Sequence, residues 1–261
     1  MLIDKDFYTK HIKNDEKKFE MRKLLDKIEL VIKNHSIEVT DFLDPYERLL
    51  ARSILNRFSD INYKDFGGTS NAERKVICIY PHYFDEKDVS FNLVYLRLKG
   101  EIEGLIHKDF LGALLNLGIK RAKTGDIQIH EDHVDIILKS EISNYIIQNL
   151  DRVGNKKVSI SAIEKEDLAE PQIKYKEISK FIPSMRIDSF LSSAYNISRQ
   201  DSINIIKFGN VKVNWEEINK PSRELEVGDI ISTRGYGRAI IKSIDGFSKK
   251  GRLHITVQIL I

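Results

Sequence analysis

Six basic side chains near the C-terminal end of this 261-residue chain have the types and spacing to hold an anion: Arg186, Arg199, Lys207, Lys212, Arg223 and Arg234. Arg199 follows Ser198 in the first turn of a predicted helix. Backbone N–H groups without intrahelical partners and the helix dipole already favour negative charge there. A guanidinium at that place matches a phosphate in a two-bond fork, which an ammonium cannot do. Arg186 opens the preceding helix in the run Met-Arg-Ile-Asp-Ser-Phe-Leu.

The elements that must position these cations follow from pattern. Ile187, Phe190, Leu191 and Ala194 recur at helical spacing and predict one apolar stripe. Ser198 is a natural N-cap for the second helix, and Asp201 three residues on completes a capping box. Ile203 and Ile206 form its buried side, and Gly209 suits the left-handed position that stops a helix. Val211 and Val213 then alternate with Asn210, Lys212 and Asn214, as in a half-buried strand. Gly228-Asp229 turns the chain into a strand over Ile230–Thr233. The basic residues are expected to share one outer face, widened by Arg238 and by the polar neighbours Ser198 and Gln200.

Composition narrows the class. Apolar residues make up 41% and charged residues 31%, which supports real cores in a soluble, cytoplasmic protein. No run of about 18 apolar residues exists to cross a membrane, and the N-terminus lacks the apolar stretch of a signal peptide. A single cysteine, Cys78, excludes a disulfide framework and a cysteine-based zinc site. From Pro183 onward 12 Lys and Arg stand against 8 Asp and Glu, a net of +4, while the rest holds 30 against 31. The basic excess therefore belongs to the C-terminal segment, as expected if that segment meets phosphates.

The fold class read from these patterns is α+β, in three parts. Residues 1–72 form an N-terminal helical region: one helix over 5–34, with Phe19, Leu24, Leu25, Ile28, Val31 and Ile32 as its stripe, and a second over 41–58. Asp44 caps the second, Pro45 begins it and Glu47 closes a capping box, which accounts for these carboxylates without acid–base chemistry. Residues 73–168 read as strand, helix, strand, strand, helix, strand from Phe91 on, the ferredoxin-like order that RRM-like RNA-binding domains share. Within it, Lys120 and Arg121, with Lys123 beside them, crowd the end of the first helix. They read equally as dipole caps and as a second phosphate contact. Glu73-Arg74-Lys75 reads as a solvated face. His130 and His133 flank a hairpin turn with no carboxylate or cysteine at evident ligand spacing, so no metal site is expected. Residues 169–182, with Pro171, read as a linker with a short strand leading into the C-terminal domain, 183–261, which ends in a long hairpin turned at Ser248–Gly251.

The C-terminal pattern resembles the S4 RNA-binding domain. The matching residues are Arg186-Ile187-Asp188 with Phe190-Leu191, Ser198-Arg199, Gly209, Val211 to Asn214, Lys220-Pro221-Ser222 and Gly228-Asp229. Asp201, Phe208 and Trp215 depart from it, the last where a turn glycine is common. The resemblance widens over the chain from about residue 40. Phe42-Leu43-Asp44-Pro45-Tyr46, Ala72-Glu73-Arg74-Lys75, Ile79-Tyr80-Pro81, His107 to Leu114, Leu117 to Arg121 and Gly125-Asp126-Ile127 are similar to the YlmH family of bacterial S4-domain proteins. So are Asn196 to Gln200, Val211 to Trp215 and Arg234 to Arg238.

That resemblance implies a monomeric, non-enzymatic factor without cofactor. It would bind ribosomal RNA of the large subunit and tRNA on stalled subunits, beside a quality-control translation factor, and support alanine tailing. Family members are also associated with cell division. Two other readings compete. One is an RNA-modifying enzyme of the pseudouridine synthase or methyltransferase type with an S4 clamp, against which no Gly-rich cofactor loop is present. The other is a cell-division scaffold, whose binding would lack the salt dependence of phosphate contacts.

Overall fold

Asp4 and Asn14 each start a helix. Their side chains accept from the backbone N–H groups of Phe7 and Lys17, so the single helix expected over 5–34 is two: α1 (Lys5–Thr9) and α2 (Asp15–Asn34). The computed structural model describes residues 3–170 and 175–260, and Pro171 lies outside them. The chain divides into two compact units, Met1–Gln172 and Ile173–Ile261.

In the first unit, α2 buries Met21, Leu24, Leu25, Ile28 and Val31, while Phe19 falls off this stripe and stays 59% exposed. After β1 (Glu38–Val39), α3 (Pro45–Leu55) begins with the expected capping box: Asp44 accepts from Glu47 N, and Glu47 accepts from Asp44 N. Lys17 Nζ bridges both carboxylates at 2.9 and 2.7 Å, which gives Asp44 and Glu47 a structural role. Strand β2 (Ile61–Phe66), whose Ile-Asn-Tyr-Lys alternation was not read from the sequence, pairs with β3 (Val76–Pro81). The small sheet has the order β1-β3-β2, and all of β3 is buried. Ile77 and Ile79 pack with α2 and α3, whereas Val76 joins Phe42 and Ile137 in a second cluster.

The strands β4 (Leu93–Gly100), β5 (Thr124–Ile129), β6 (Val134–Lys139), β7 (Arg152–Val153) and β8 (Lys156–Ile163) form the order β5-β6-β4-β8-β7, with α4 (His107–Asn116) and α5 (Ser140–Asn149) between them in sequence. Every pairing is antiparallel, which is the ferredoxin-like arrangement. Leu96, Leu98, Val134, Ile136 and Leu138 face α4 and α5. The opposite face, where RRM-type domains stack bases on exposed aromatics, is covered here in part by the N-terminal segment. Tyr95 and Ile137 pack with Phe42, Val76 and Leu168.

This sheet-on-sheet packing carries a prediction. A Cβ on Gly125 would stand 2.6 Å from Phe42 Cε1 and 3.2 Å from the Ile137 carbonyl oxygen. Gly125→Ala is therefore expected to destabilise the first unit by about 1–3 kcal/mol, the usual cost of overpacking. Amide hydrogen exchange along β3 reads the effect, and unchanged protection would refute the close packing.

The second unit contains β9 (Tyr175–Ile182), α6 (Ile187–Tyr195), α7 (Arg199–Lys207), β10 (Val211–Val213), β11 (Glu216–Glu217), β12 (Ile230–Thr233), β13 (Gly237–Phe247) and β14 (Leu253–Leu260). Its sheet has the order β11-β10-β12-β13-β14-β9. The short strand expected within the linker is, from Tyr175 on, a full sheet strand of eight residues. It pairs with β14 from Tyr175↔Leu260 to Ile182↔Leu253, and Ile178 and Ile182 reach the core. That core joins Phe190 and Leu191 of α6 to Val211, Val213, Ile231 and Ile241 of the sheet.

Candidate nucleic-acid interface

Arg186 is the N-cap residue of α6 and Arg199 the first residue of α7. What joins them is Asp188, fully buried in the first turn of α6. Its Oδ1 accepts from Arg186 Nε at 3.1 Å and from Ser189 N at 2.9 Å. Its Oδ2 accepts from Arg186 Nη2 and from Arg199 Nε, each at 3.1 Å. One carboxylate thus holds two guanidiniums side by side at two helix N-termini, and the trio keeps one net positive charge. The Arg199 side chain is 61% exposed and that of Arg186 38%, so both keep N–H groups toward solvent. Burial pushes the Asp188 carboxyl upward, but hydrogen bonds from Arg186 and then Arg199 outweigh it, and the carboxyl lies below its ordinary range.

The second helix start differs from the expected box in one bond. Ser198 Oγ accepts from Asp201 N at 3.0 Å, but the Asp201 carboxylate receives the Ser198 hydroxyl at 2.6 Å. Gln200 is exposed and donates to Asn204 Oδ1 at 3.2 Å. Gly209 adopts the left-handed conformation at φ +70°, where a Cβ would meet the Glu217 carboxylate.

The remaining cations do not all share the face of this pair. Val211 and Val213 point to the core, so Lys212 points away from α6 and α7. Cross-strand register sets Glu217, Lys212, Ser232 and Arg238 in one row on that outward face. Lys207, Arg223 and Arg234 are exposed and make no ion pair among the described residues. The turn from β10 to β11 is Asn214-Trp215, at φ +48° and +67°. That is the two-residue hairpin geometry that glycine usually serves, and it is strained for a bulky side chain. The Arg238 guanidinium lies 5.3 Å from the Trp215 ring centre, which holds the ring beside the row. Phe208, at the end of α7, is 79% exposed.

In the first unit the cations expected at the end of α4 are mostly turned inward. Arg121 donates to the carbonyls of Thr124 and Gly125 at 2.6 and 3.0 Å, and burial, with Arg74 nearby, brings its pKa down to about 10. Lys123 pairs with Asp41 and Glu141. Lys120 is exposed. The expected solvated face at Glu73-Arg74-Lys75 also corrects. Asp126 accepts from Glu73 N and Arg74 N at 2.6 and 3.0 Å, and Arg74 donates to the Phe42 and Thr124 carbonyls. Three short motifs far apart in sequence are thus fastened to one another.

The hairpin histidines also have a carboxylate after all. Asp135 lies two residues after His133 on β6, so the strand pleat turns both to one side, and the buried Asp135 reaches both rings. The signal was present in the sequence as His-x-x-His-x-Asp.

Comparison with known proteins places this geometry. Three family models match in chain order: "YlmH, N-terminal" over residues 16–84, "Putative RNA-binding domain in YlmH" over 85–167, and "S4 domain" over 185–231. The ribosome-associated protein quality control protein P2 of Bacillus subtilis (strain 168) is 31% identical over 255 residues, 97% of this chain and 98% of that protein. Among solved structures, the cell division protein YlmH from Streptococcus pneumoniae has a TM-score of 0.53 at 20% identity. The match covers 60% of this chain and 96% of that one, and it shows likeness of fold. No helix among the described residues is long and apolar enough to cross a membrane. With 97% of its length matched, its three segments matched in order and its paired arginines set in the S4 segment, the chain belongs to the YlmH family of S4-domain RNA-binding proteins.

Proposed function

We propose that this chain is a cytoplasmic RNA-binding factor of ribosome-associated quality control. It binds large-subunit ribosomal RNA together with tRNA on stalled subunits, supports alanine tailing beside a translation factor, and performs no covalent step itself. The observation that carries this reading is the Arg186–Asp188–Arg199 trio. A buried carboxylate pre-orders two guanidiniums at two helix N-termini, so little side-chain entropy is lost when a phosphate docks. Lys207, Arg223 and Arg234 extend the phosphate-binding surface, with Ser198 and Gln200 at its polar edge; Lys212 and Arg238 offer further contacts from the outward face of the sheet and Lys120 from the first unit. Arg121 supports that loop from inside. The ribosome association named for the Bacillus subtilis relative favours the ribosome as the site of action.

Co-sedimentation of the full chain, as a monomer, with purified large subunits tests this, with and without bound tRNA, over a salt series. Binding that falls steeply with salt and strengthens with tRNA is expected. Equal pelleting at all salt concentrations, or none, would overturn it.

The strained turn gives an independent check. Trp215→Gly relieves the left-handed strain at the hairpin and is expected to leave the fold as stable as before or more so. RNA affinity should nevertheless fall by roughly 1–3 kcal/mol, the value of one base stacked on an aromatic ring. Loss of a neutral ring leaves the salt slope unchanged. Unaltered RNA affinity would remove Trp215 from the interface.

A further inference from the structure

The β5–β6 hairpin carries a cluster that the RNA-facing surface does not use. His130 and His133 flank the turn, closed by His130 N donating to the His133 carbonyl at 2.9 Å. Their rings stack with centres 4.4 Å apart and planes 18° from parallel. Both Nε2 atoms are buried without a hydrogen-bond partner. They face Asp135 Oδ2, at 3.9 Å from His130 and 3.5 Å from His133, and the three ligand atoms lie within 4.8 Å of one another.

For His133 a hydrogen bond behind the ring fixes which atom points inward as a lone pair. His133 Nδ1 lies 2.6 Å from Asp132 Oδ1, so Nδ1 carries the proton and donates it. In the neutral ring Nε2 is then an acceptor aimed at an anionic oxygen. Two acceptors facing each other repel unless a positive centre stands between them. The Asp135 carboxylate is itself held by Arg97, with Nε on Oδ1 and Nη2 on Oδ2, both at 2.8 Å. Oδ2 keeps a second lone pair on the side of the imidazoles. A carboxylate behind a histidine, here Asp132 behind His133, is the usual outer support of a metal-binding imidazole. The Arg97 charge works against a cation, but Asp132 and Asp135 together outnumber it.

We propose that His130 Nε2, His133 Nε2 and Asp135 Oδ2 bind one divalent first-row transition ion, with zinc the best fit. Donors on one tetrahedral zinc at ~2.0–2.1 Å stand roughly 3.3 Å apart. Asp135 Oδ2, 3.5 and 3.9 Å from the two Nε2 atoms, must therefore draw in by a few tenths of an ångström, and the stacked rings must turn for both lone pairs to meet one ion. Two imidazoles and one carboxylate suit zinc, cobalt or nickel rather than magnesium or calcium, which prefer all-oxygen sites. Three protein donors leave a fourth position for water. The ion would clamp the hairpin end of the sheet to Arg97 and, through the Arg97 bond to the Asp167 carbonyl at 2.9 Å, to the end of the first unit.

The test uses the metal-stripped full chain and zinc chloride alone, with bound zinc measured after equilibrium dialysis. One equivalent per chain is expected. His130→Gln and His133→Gln should each lower the affinity roughly tenfold or more, whereas His11→Gln, at an exposed histidine in the first unit, should not. Nitrogen-detected NMR of the wild-type imidazoles provides a reading free of any folding defect in the variants. Zinc should shift Nε2 of two histidines and leave the others in place. No retained zinc, zinc binding indifferent to both variants, or imidazole signals unmoved by zinc would each overturn the site.

Discussion

Arg199→Ala should weaken binding of the full chain to large-subunit RNA roughly tenfold or more, since a charge-assisted bond to phosphate contributes about 1.5–3 kcal/mol. The physical reason lies in the trio's charge. Asp188 neutralises one of its two guanidiniums, so the pair presents a single net positive charge at two helix N-termini. Removing Arg199 leaves a neutral Arg186–Asp188 pair, with nothing in excess to offer a phosphate. Arg186→Ala should cost a similar factor in affinity, but it also strips Asp188 of two of its hydrogen bonds, so its stability must be measured beside its binding. Arg199 is the more exposed of the two, which makes its variant the cleaner probe. The slope of log affinity against log salt should flatten by about 0.7–0.9, the share of one phosphate contact. Arg199→Lys should not restore binding, because an ammonium cannot present a planar fork to a carboxylate and a phosphate at once. Lys249→Ala, in the distal hairpin turn, should change far less. Folded Arg186→Ala and Arg199→Ala chains that bind RNA like the wild type would remove the trio from the interface.

The pieces of this interface differed in how openly the sequence displayed them. Ser198, Arg199 and Gly209 were legible because capping and stopping a helix are local acts, decided within a few residues. The alternation of Val211 and Val213 around Lys212 was legible for the same reason. Asp188 was visible as a motif residue, but its task was not. A buried carboxylate that unites two helix starts depends on how α6 and α7 pack, and no spacing along the chain reports that. Arg74 shows the opposite error. A charged residue in a loop reads as solvated until the structure supplies the carbonyl oxygens of Phe42 and Thr124 that hold it inside. Arg121, read as a dipole cap or a phosphate contact, is turned inward in the same way by the carbonyls of Thr124 and Gly125. Strand β9 was legible only as a short strand in a linker, because its composition hid its length and its partner. Tyr175–Ile182 is charged and mostly exposed on an edge strand, so its pairing with β14 left only Ile178 and Ile182 as an apolar trace. The cover over the ferredoxin-like sheet was hidden for a further reason. The strand order announces the sheet, but only the tertiary partners Phe42 and Val76 reveal that part of its other face is covered.

Replacing the carboxylate at the centre of the trio should destabilise the second unit. Asp188→Asn keeps the size of the side chain and an oxygen for Ser189 N, but it leaves two guanidiniums facing each other without a counter-charge. Removing one member of a fully buried ion pair costs about 3–5 kcal/mol. Here both arginines can swing toward solvent, so a loss of about 1–3 kcal/mol is expected in the second unit. Trp215 is the chain's single tryptophan and lies in that unit, so its fluorescence during urea unfolding reads this loss alone. The pH dependence supplies the sharper test. Burial raises the Asp188 carboxyl, hydrogen bonds from Arg186 and Arg199 lower it further, and the folded-state pKa lies below the unfolded value of about 3.9. A depressed carboxylate contributes stability that is fully present above the unfolded pKa. That contribution is lost as pH falls through the folded pKa. The stability gap between wild type and Asp188→Asn should therefore be constant near neutral pH and narrow once the solution is more acidic than about pH 3.9. A gap that stays the same down to the acid limit of folding would mean that the asparagine disturbs packing rather than charge, and that Asp188 does not hold its arginines as an ion.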